Sequence, residues 1–215
     1  MTENIQEQRV GVVLAGGLGT RLRSVVDNLP KCMAPVAGHP FLYYLFRYMQ
    51  RQRFARVVLA LGYLHEMVEQ WVSETEWGFR VEFSVEQTPL GTGGAIKQAL
   101  KQINEHQVFV LNGDTFFDVD LDRMERLHNS THAELTLALK PMTNFSRYGT
   151  VICDRNYRIE SFLEKQPRDK GNINGGIYLL DTAAMMDMLP EGRFSFETDV
   201  MEKRLAQLRM TGCLD

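Results

Sequence analysis

The chain has 215 residues and a formal net charge of −3, with 24 lysine and arginine residues against 27 aspartate and glutamate residues. A hydrophobic share of 44% and a charged share of 24% exclude a disordered or fibrous chain and are ordinary for a globular protein. The basic excess that nucleic-acid binders normally show is missing, so any phosphate chemistry must depend on a few placed cations.

The cysteines and the first residues bear on the cellular compartment. Cys32, Cys153 and Cys213 are odd in number and widely spaced, which argues against a disulfide framework or a zinc site and favours a reducing compartment. Residues 1–8 are polar and lack the apolar core of a signal peptide. No run of ~18 apolar residues occurs, so we expect no membrane span and a cytoplasmic protein.

Strands and helices are predicted to alternate in the first part of the chain. Short apolar runs predict strands at 10–15, 57–61 and 108–111, and alternating apolar and polar residues predict a half-exposed or edge strand at 79–85. Apolar residues at helical spacing predict helices at 41–52, 64–72, 96–103 and 121–128. This order is typical of βαβ units with a mostly parallel sheet.

After residue 130 the pattern changes to strands with little helix between them. The predicted strands are 135–139, 148–153, 159–163 and 177–180, and Met201, Leu205 and Leu208 suggest a last helix. We therefore expect a single α/β domain over 1–215, with halves 9–130 and 131–215. Its fold should be a Rossmann-like three-layer α/β/α arrangement with a mostly parallel mixed central sheet and a strand-rich second half.

A glycine-rich segment, Leu14-Ala15-Gly16-Gly17-Leu18-Gly19-Thr20-Arg21, follows the first predicted strand. Its glycines let the backbone approach a ligand closely, and such a loop before a helix is a ready anion site. It is neither a dinucleotide-binding fingerprint, because position 22 is leucine, nor a P-loop, because it ends in Thr-Arg. The alternative is a tight strand–helix turn with no ligand.

A second segment places a lysine in a stiff, non-helical stretch. Pro30 and Pro35 bracket Lys31. A rigid segment can hold a cation at a fixed position, which suits charge stabilisation of a transferring phosphoryl group. Arg21 and Lys31 together suit a polyphosphate. The alternative is a solvated loop lysine.

Together, Gly-Gly-x-Gly-Thr-Arg-Leu at 16–22 and Leu-Pro-Lys-x-Met-x-Pro-Val at 29–36 resemble the nucleotidyltransferases that make nucleotide sugars from a sugar 1-phosphate and a nucleoside triphosphate. The resemblance implies that residues 9–130 bind the nucleotide and residues 131–215 the sugar. It implies catalytic roles for Arg21 and Lys31 near the phosphates. It also implies nucleotide binding by Leu14, Gly16, Gly17, Gly19 and Thr20.

Two further segments extend the nucleotide side. The stretch 86–96 follows a predicted strand and opens a helix, and the resemblance implies that its members Glu86, Gln87, Gly91 and Thr92 read the nucleobase. Thr92 could also act as the helix N-cap. Asp114, in Asn112-Gly113-Asp114, follows a buried strand, where ligands of open α/β sheets bind. The resemblance makes Asp114 a catalytic Mg²⁺ ligand and places Asn112 at the nucleotide.

Asp118-Val119-Asp120 has the D-x-D pattern with which many glycosyltransferases hold their metal. It also precedes a predicted helix, where acidic residues favour the N-terminus. We favour this second, structural interpretation.

The sugar side is implied by three segments of the second half. By resemblance, Gly149 supplies backbone contacts, Glu164 and Asn174 hold sugar hydroxyls, and Lys165 meets the sugar phosphate. This pairing is physically reasonable, because a carboxylate accepts hydrogen bonds from hydroxyl groups and a neighbouring ammonium group binds a phosphate. Without that context, Glu164-Lys165 would be a surface charge pair.

Within the family, the segments at 31–36, 89–96 and 111–115 look most like the D-glycero-α-D-manno-heptose 1-phosphate guanylyltransferases, which make GDP-heptose for bacterial lipopolysaccharide and capsule. The implied reactants are GTP and a sugar 1-phosphate, with Mg²⁺. Alternatives are a relative for mannose, glucose or muramic acid 1-phosphate using GTP, UTP or dTTP, a metal-dependent glycosyltransferase, or a non-catalytic regulatory homologue.

Two features stay open at this point. The family usually carries a second metal-binding aspartate in an aromatic Asp-x-Gly segment, which Asp215 does not fit, and we do not assign Asp215 as a ligand. The aromatic residues of helix 41–52 fit either a homo-oligomer contact or a wide core face.

Overall fold

The computed structural model describes residues 8–17 and 29–215. Within these residues, nine strands form one mixed sheet: β1 (Arg9–Leu14), β4 (Phe54–Leu61), β5 (Arg80–Val85), β6 (Gln107–Asn112), β7 (Leu135–Phe145), β8 (Thr150–Cys153), β9 (Ile159–Leu163), β10 (Arg168–Asp181) and β11 (Met210–Leu214). A small hairpin joins β2 (Pro35–Val36) and β3 (His39–Pro40). The helices are α1 (Phe41–Arg51), α2 (His65–Ser73), α3 (Gly91–Leu100), α4 (Leu121–Ser130) and α5 (Thr182–Met188), with a 3₁₀ helix at Lys31–Met33 and a π-helical segment at Phe196–Glu202.

The sheet has a parallel part and an antiparallel part. The main strand order is β11-β7-β10-β6-β1-β4-β5. Strands β6, β1, β4 and β5 are parallel, β10 runs antiparallel to both β6 and β7, and β11 is parallel to β7. β8 and β9 form a hairpin that joins β10. The strands of both predicted halves therefore share one continuous sheet.

Helices cover both faces of the sheet. Val12, Val58 and Val110 pack against α3, α5 and the π-helical segment on one face. Val13 and Leu59 pack against α1, α2 and α4 on the other. Parallel strands buried on both faces need such continuous β-branched and aliphatic runs. The predicted three-layer α/β/α fold with a mostly parallel mixed sheet is confirmed.

The aromatic side chains of α1 supply a wide core face. Phe46 and Tyr48 are fully buried. The Phe46 ring lies 4.8 Å from that of Trp77, centroid to centroid, and the Tyr48 hydroxyl donates to the Val119 carbonyl oxygen at 3.0 Å. Burial of these two rings therefore needs only this chain.

The second half contains elements that the sequence patterns did not predict. α5 and the edge strand β11 were both missed. The helix predicted around Met201, Leu205 and Leu208 is instead the π-helical segment, followed by turns. β10 is much longer than the predicted 177–180, because its outer part pairs with the extended end of β7.

A buried histidine makes folding stability sensitive to acid. His128 on α4 is 2% exposed, and its Nδ1 lies 2.8 Å from the Thr136 hydroxyl oxygen. Burial lowers the pKa of His128 from 6.5 to about 4. Between these two values the unfolded chain binds the proton and the folded chain does not, so stability falls as pH drops through that window.

We therefore expect His128 to contribute a loss of ~2 kcal/mol in the free energy of unfolding between about pH 7 and about pH 5. Urea titrations at several pH values give the free energy of unfolding of the wild type and of His128→Gln, whose side chain cannot gain a proton. The contribution of His128 is the difference between the two proteins in how this free energy changes with pH. An equal pH dependence of the free energy of unfolding in both proteins would contradict this role of His128.

Candidate active site

The carboxyl ends of the parallel strands meet at one edge of the sheet. Gly16 and Gly17 follow β1, Glu86 follows β5, and Asp114 follows β6. Ligands of open α/β sheets bind outside such strand ends. The residues predicted for nucleotide and metal binding therefore belong to this edge. Of the glycine-rich segment, Gly19, Thr20 and Arg21 lie outside the described residues.

The loops at this edge are packed tightly against one another. The Gly113 amide donates to the Leu14 carbonyl oxygen at 2.9 Å, and a Cβ at Gly113 would lie 2.7 Å from that oxygen. A Cβ at Gly16 would lie 3.3 Å from Oε1 of Glu86. Glu86 also accepts from the Leu90 amide at 2.8 Å, and burial raises the pKa of its carboxyl group. These contacts fix the backbone around the predicted phosphate and base sites.

Lys31 and Asp114 form an ion pair although 83 residues separate them. Lys31 opens the 3₁₀ helix that follows Pro30, and Asp114 lies two residues beyond β6. Their side chains are 36% and 38% exposed, so both can reach a ligand. Lys31 and Asp114 were both predicted to lie at the reacting phosphates, and the fold brings these two groups together.

The glycines that open α3 accommodate a neighbouring loop. Gly91 has a φ of +72°, and a Cβ there would lie 2.5 Å from the Phe194 carbonyl oxygen. The Gly93 amide donates to that oxygen at 3.1 Å. Thr92 does not cap the helix: the N-cap is Leu90, which makes no side-chain cap, and the Thr92 hydroxyl instead donates to Glu197 Oε2 at 2.7 Å. Gln87 is exposed on the loop before α3.

Gly93→Ala should destabilise the protein by ~1–3 kcal/mol, because the added Cβ would lie 2.1 Å from the buried ring of Phe194. Helix propensity alone predicts the opposite sign, a gain of ~1 kcal/mol. Thermal and denaturant unfolding of Gly93→Ala, Phe194→Leu and the double variant test the contact. The double variant should be no less stable than Phe194→Leu, and strict additivity would contradict the clash.

A cleft of about 820 Å³ opens beside this edge, between the end of β6 and the strands of the second half. It is lined by all four residues predicted for the sugar and by Asn112, and also by side chains for which no role was predicted. The predicted members are Asn112, Gly149, Glu164, Lys165 and Asn174. Strand pairing thus collects polar groups from widely separated segments around one space.

A polar network on Asn174 lies in this cleft. Asn174 accepts from the Gly176 amide and donates to the Tyr178 hydroxyl, both at 2.9 Å. The strand bulges here, and Gly176 has a φ of +77° against the side chain of Asn112. Burial raises the pKa of Tyr178, so its hydroxyl stays neutral. One amide hydrogen and one lone pair of Asn174 remain for a ligand.

The Asp118-Val119-Asp120 pattern has a structural use. Asp120 caps α4, its Oδ1 accepting from the Arg123 amide at 3.0 Å. Asp118 lies 3.9 Å from the guanidinium of Arg51. The favoured cap interpretation of Asp120 is confirmed. Among the residues described, no group of three or more His, Cys, Asp or Glu side chains is arranged to hold a metal ion.

A larger cavity, about 970 Å³, lies at the opposite edge, where β1, β4 and β6 begin. Arg9 lines this cavity; it is buried and bound to Asp122, to both carboxylate oxygens of Glu125 at 2.8 Å, and to the Gln52 carbonyl oxygen at 2.7 Å. Because groups of the protein itself accept from this guanidinium, we interpret Arg9 as stabilising the fold and not as binding a ligand. None of the described residues predicted for nucleotide, sugar or metal binding lines this cavity.

Sequence patterns gave no role to Tyr178, Lys140 or Glu197, which also line the cleft. Tyr178 has the pattern of an ordinary buried strand residue, and Lys140 that of a solvated strand residue. Glu197 lies in a segment whose π-helical form was not predicted. That Glu197 and Glu164 line one cleft was not predicted either, because the two residues come from elements distant in the sequence.

A model of the Nucleotidyl transferase family matches residues 10–214 of this chain. The chain belongs to the nucleotidyl transferase family. That match spans the glycine-rich segment, Lys31, Asp114 and the cleft, so membership agrees with the site as the structure presents it. The prediction of a nucleotidyltransferase enzyme is confirmed.

Relatives named D-glycero-α-D-manno-heptose 1-phosphate guanylyltransferase resemble this chain over most of its length. The one from Aneurinibacillus thermoaerophilus is 48% identical, covering 94% of this chain and 87% of its own. The one from Campylobacter jejuni is 41% identical, covering 94% and 89%. A mannose-1-phosphate guanylyltransferase from Mycobacterium tuberculosis is 34% identical, but only 55% of that protein is matched.

The fold is also similar to that of a solved structure. HddC from Yersinia pseudotuberculosis, solved as a complex with GMP-PN, superposes with a TM-score of 0.84 at 34% identity, covering 97% of this chain and 91% of its own. In the part of this chain that the structure describes, no helix is long and apolar enough to span a bilayer.

Proposed function

We propose that this enzyme transfers GMP from GTP to D-glycero-α-D-manno-heptose 1-phosphate, giving GDP-heptose and pyrophosphate for bacterial surface polysaccharide. The observation that carries the proposal is the Lys31–Asp114 pair beside a cleft containing Glu164, Lys165 and Asn174. The choice of heptose and GTP is supported by the names of the relatives that are 48% and 41% identical. We place the reaction in the cytoplasm.

The reaction is a direct displacement. A phosphate oxygen of the sugar 1-phosphate attacks the α-phosphorus of GTP in line, and pyrophosphate leaves. The nucleophile is already anionic, so no general base and no covalent intermediate are needed. Lys31 and Arg21 would neutralise triphosphate charge, Lys165 would bind the sugar phosphate, and Glu164 and Asn174 would hold sugar hydroxyls. Catalysis is then positioning together with charge stabilisation.

Asp114 at the carboxyl edge suits a magnesium ion that takes its other ligands from water and substrate. Mg²⁺ takes few carboxylates and keeps several waters and substrate phosphates as ligands. Asp114 is a partly exposed carboxylate at a strand end, as such a site requires. When bound, the ion would neutralise developing charge on the phosphates. We propose residues 9–130 as the nucleotide half and 131–215 as the sugar half.

A matrix of nucleoside triphosphates and sugar 1-phosphates tests this function. Pyrophosphate release should require Mg²⁺, GTP and the heptose 1-phosphate together, with lower kcat/KM for mannose or glucose 1-phosphate and for UTP or dTTP. Highest activity with another pair would reassign the substrate within the family. Release of a nucleoside diphosphate from a nucleotide sugar would indicate a glycosyltransferase. Binding without turnover would indicate a regulatory homologue.

A further inference from the structure

The π-helical segment Phe196–Glu202 presents Glu197, Thr198, Met201 and Glu202 to the cleft. A π-helix is rare and occurs frequently at functional sites. The segment packs against α3, the helix that follows the predicted base-reading loop. It therefore touches both the nucleotide half and the sugar cleft.

Glu197 is held in this segment by one of its two carboxylate oxygens. Its Oε2 accepts from the Thr92 hydroxyl at 2.7 Å and from the Ser195 hydroxyl at 3.0 Å. The Thr92 hydroxyl accepts in turn from the Phe196 amide at 2.9 Å. Two donors on one oxygen fix the orientation of a half-buried carboxylate before any ligand arrives.

The other oxygen of Glu197 has no partner in the described part of the chain. Within the described chain, Oε1 forms no hydrogen bond and no ion pair, while the residue lines the cleft. Lys140 and Lys165 line the same cleft as the three carboxylates Glu164, Glu197 and Glu202. The two ammonium groups offset part of the negative charge that Glu197 adds there. A preoriented carboxylate oxygen of this kind suits a hydroxyl donor.

We infer that Glu197 is a specificity-determining residue that accepts a hydroxyl group of the sugar 1-phosphate, a second carboxylate contact in addition to Glu164. This inference rests on the proposed function, which identifies the ligand as a sugar 1-phosphate. A site built to hydrogen-bond a hydroxyl discriminates strongly against analogues that lack it, because the buried acceptor is then left unpaired.

The Glu197→Gln variant separates the role of Glu197 in anchoring the π-helical segment from its role in binding the sugar. The amide oxygen still accepts from Thr92 and Ser195, so the segment keeps its position, but the group facing the cleft changes from an acceptor to a donor. The dissociation constant for the sugar 1-phosphate should rise by about 10- to 100-fold, while that for GTP changes by less than about twofold. The matched control is Glu76→Gln, because Glu76 is an exposed carboxylate that does not line the cleft. This variant should change neither dissociation constant.

Isothermal titration calorimetry with heptose 1-phosphate and mannose 1-phosphate, with and without a non-hydrolysable GTP analogue, gives these constants. Monodeoxy sugar 1-phosphates supply a second measurement on the wild type: one analogue should bind more weakly than its parent, and that difference should disappear in Glu197→Gln. Wild-type-like sugar binding by Glu197→Gln overturns the inference. So does equal binding of all deoxy analogues by the wild type, or a wild type that binds no sugar 1-phosphate. Sugar binding without pyrophosphate release would overturn the proposed function alone.

Discussion

Replacing Lys31 by alanine should lower kcat/KM for pyrophosphate release by about 30- to 1000-fold, equivalent to ~2–4 kcal/mol of transition-state stabilisation. Lys31 reaches the carboxylate of Asp114 from a segment that two prolines stiffen. A cation held there is positioned before the reaction begins, so its charge acts on the phosphates without reorganisation.

The folding stability of Lys31→Ala should change little. The pair is more than one-third exposed on both sides, and exposed pairs contribute only ~0–1 kcal/mol. Thermal unfolding measured beside the kinetics separates the two effects. Lys31→Arg keeps the charge but not the compact ammonium, so its activity should lie between wild type and alanine. Near-wild-type turnover of Lys31→Ala would remove Lys31 from the mechanism. Arg21→Ala should lose activity to a comparable degree.

Asp114→Asn should lose about 1000-fold or more in turnover, together with the response of the rate to Mg²⁺. The substitution keeps the shape of the side chain and removes only the charge, which a hard divalent cation requires. Pyrophosphate release titrated with Mg²⁺ measures both effects. Unchanged activity with an unchanged Mg²⁺ response would exclude Asp114 as a ligand.

Asp118→Asn and Asp120→Asn are the matched controls for Asp114→Asn. Asparagine is as good an N-cap as aspartate, so Asp120→Asn should keep α4 intact. Both variants should retain most of the activity. Loss of function in these two variants with retention in Asp114→Asn would revive the D-x-D glycosyltransferase interpretation.

Local patterns in the sequence were sufficient for the parallel part of the fold. Buried parallel strands need continuous apolar runs, and the helices between them need apolar residues at helical spacing. Both signals are contained within a few residues, so β1, β4, β6 and α2 were predicted nearly at their observed positions. The position of Asp114 followed as well, because a residue after a buried strand can only lie at the edge of the sheet.

Elements whose form depends on distant partners were missed. β11 is a strand because β7 offers it an edge, and its residues Met210–Leu214 carry little pattern of their own. The segment Phe196–Glu202 is a π-helix against α3, and no local periodicity distinguishes that form from an α-helix. Hydrogen-bonding partners that lie far away in the chain decide both.

The sequence by itself predicted which groups would carry the chemistry: the glycine-rich segment, a lysine between prolines, and a carboxylate after a strand. Only the tertiary structure decided how they meet. It paired Lys31 with Asp114, gathered Asn112, Glu164 and Asn174 around one cleft, and fastened Glu197 to Thr92. The physical reason is range: strand and helix patterns repeat over a few residues, whereas these contacts join groups that only the packing of the whole sheet brings together.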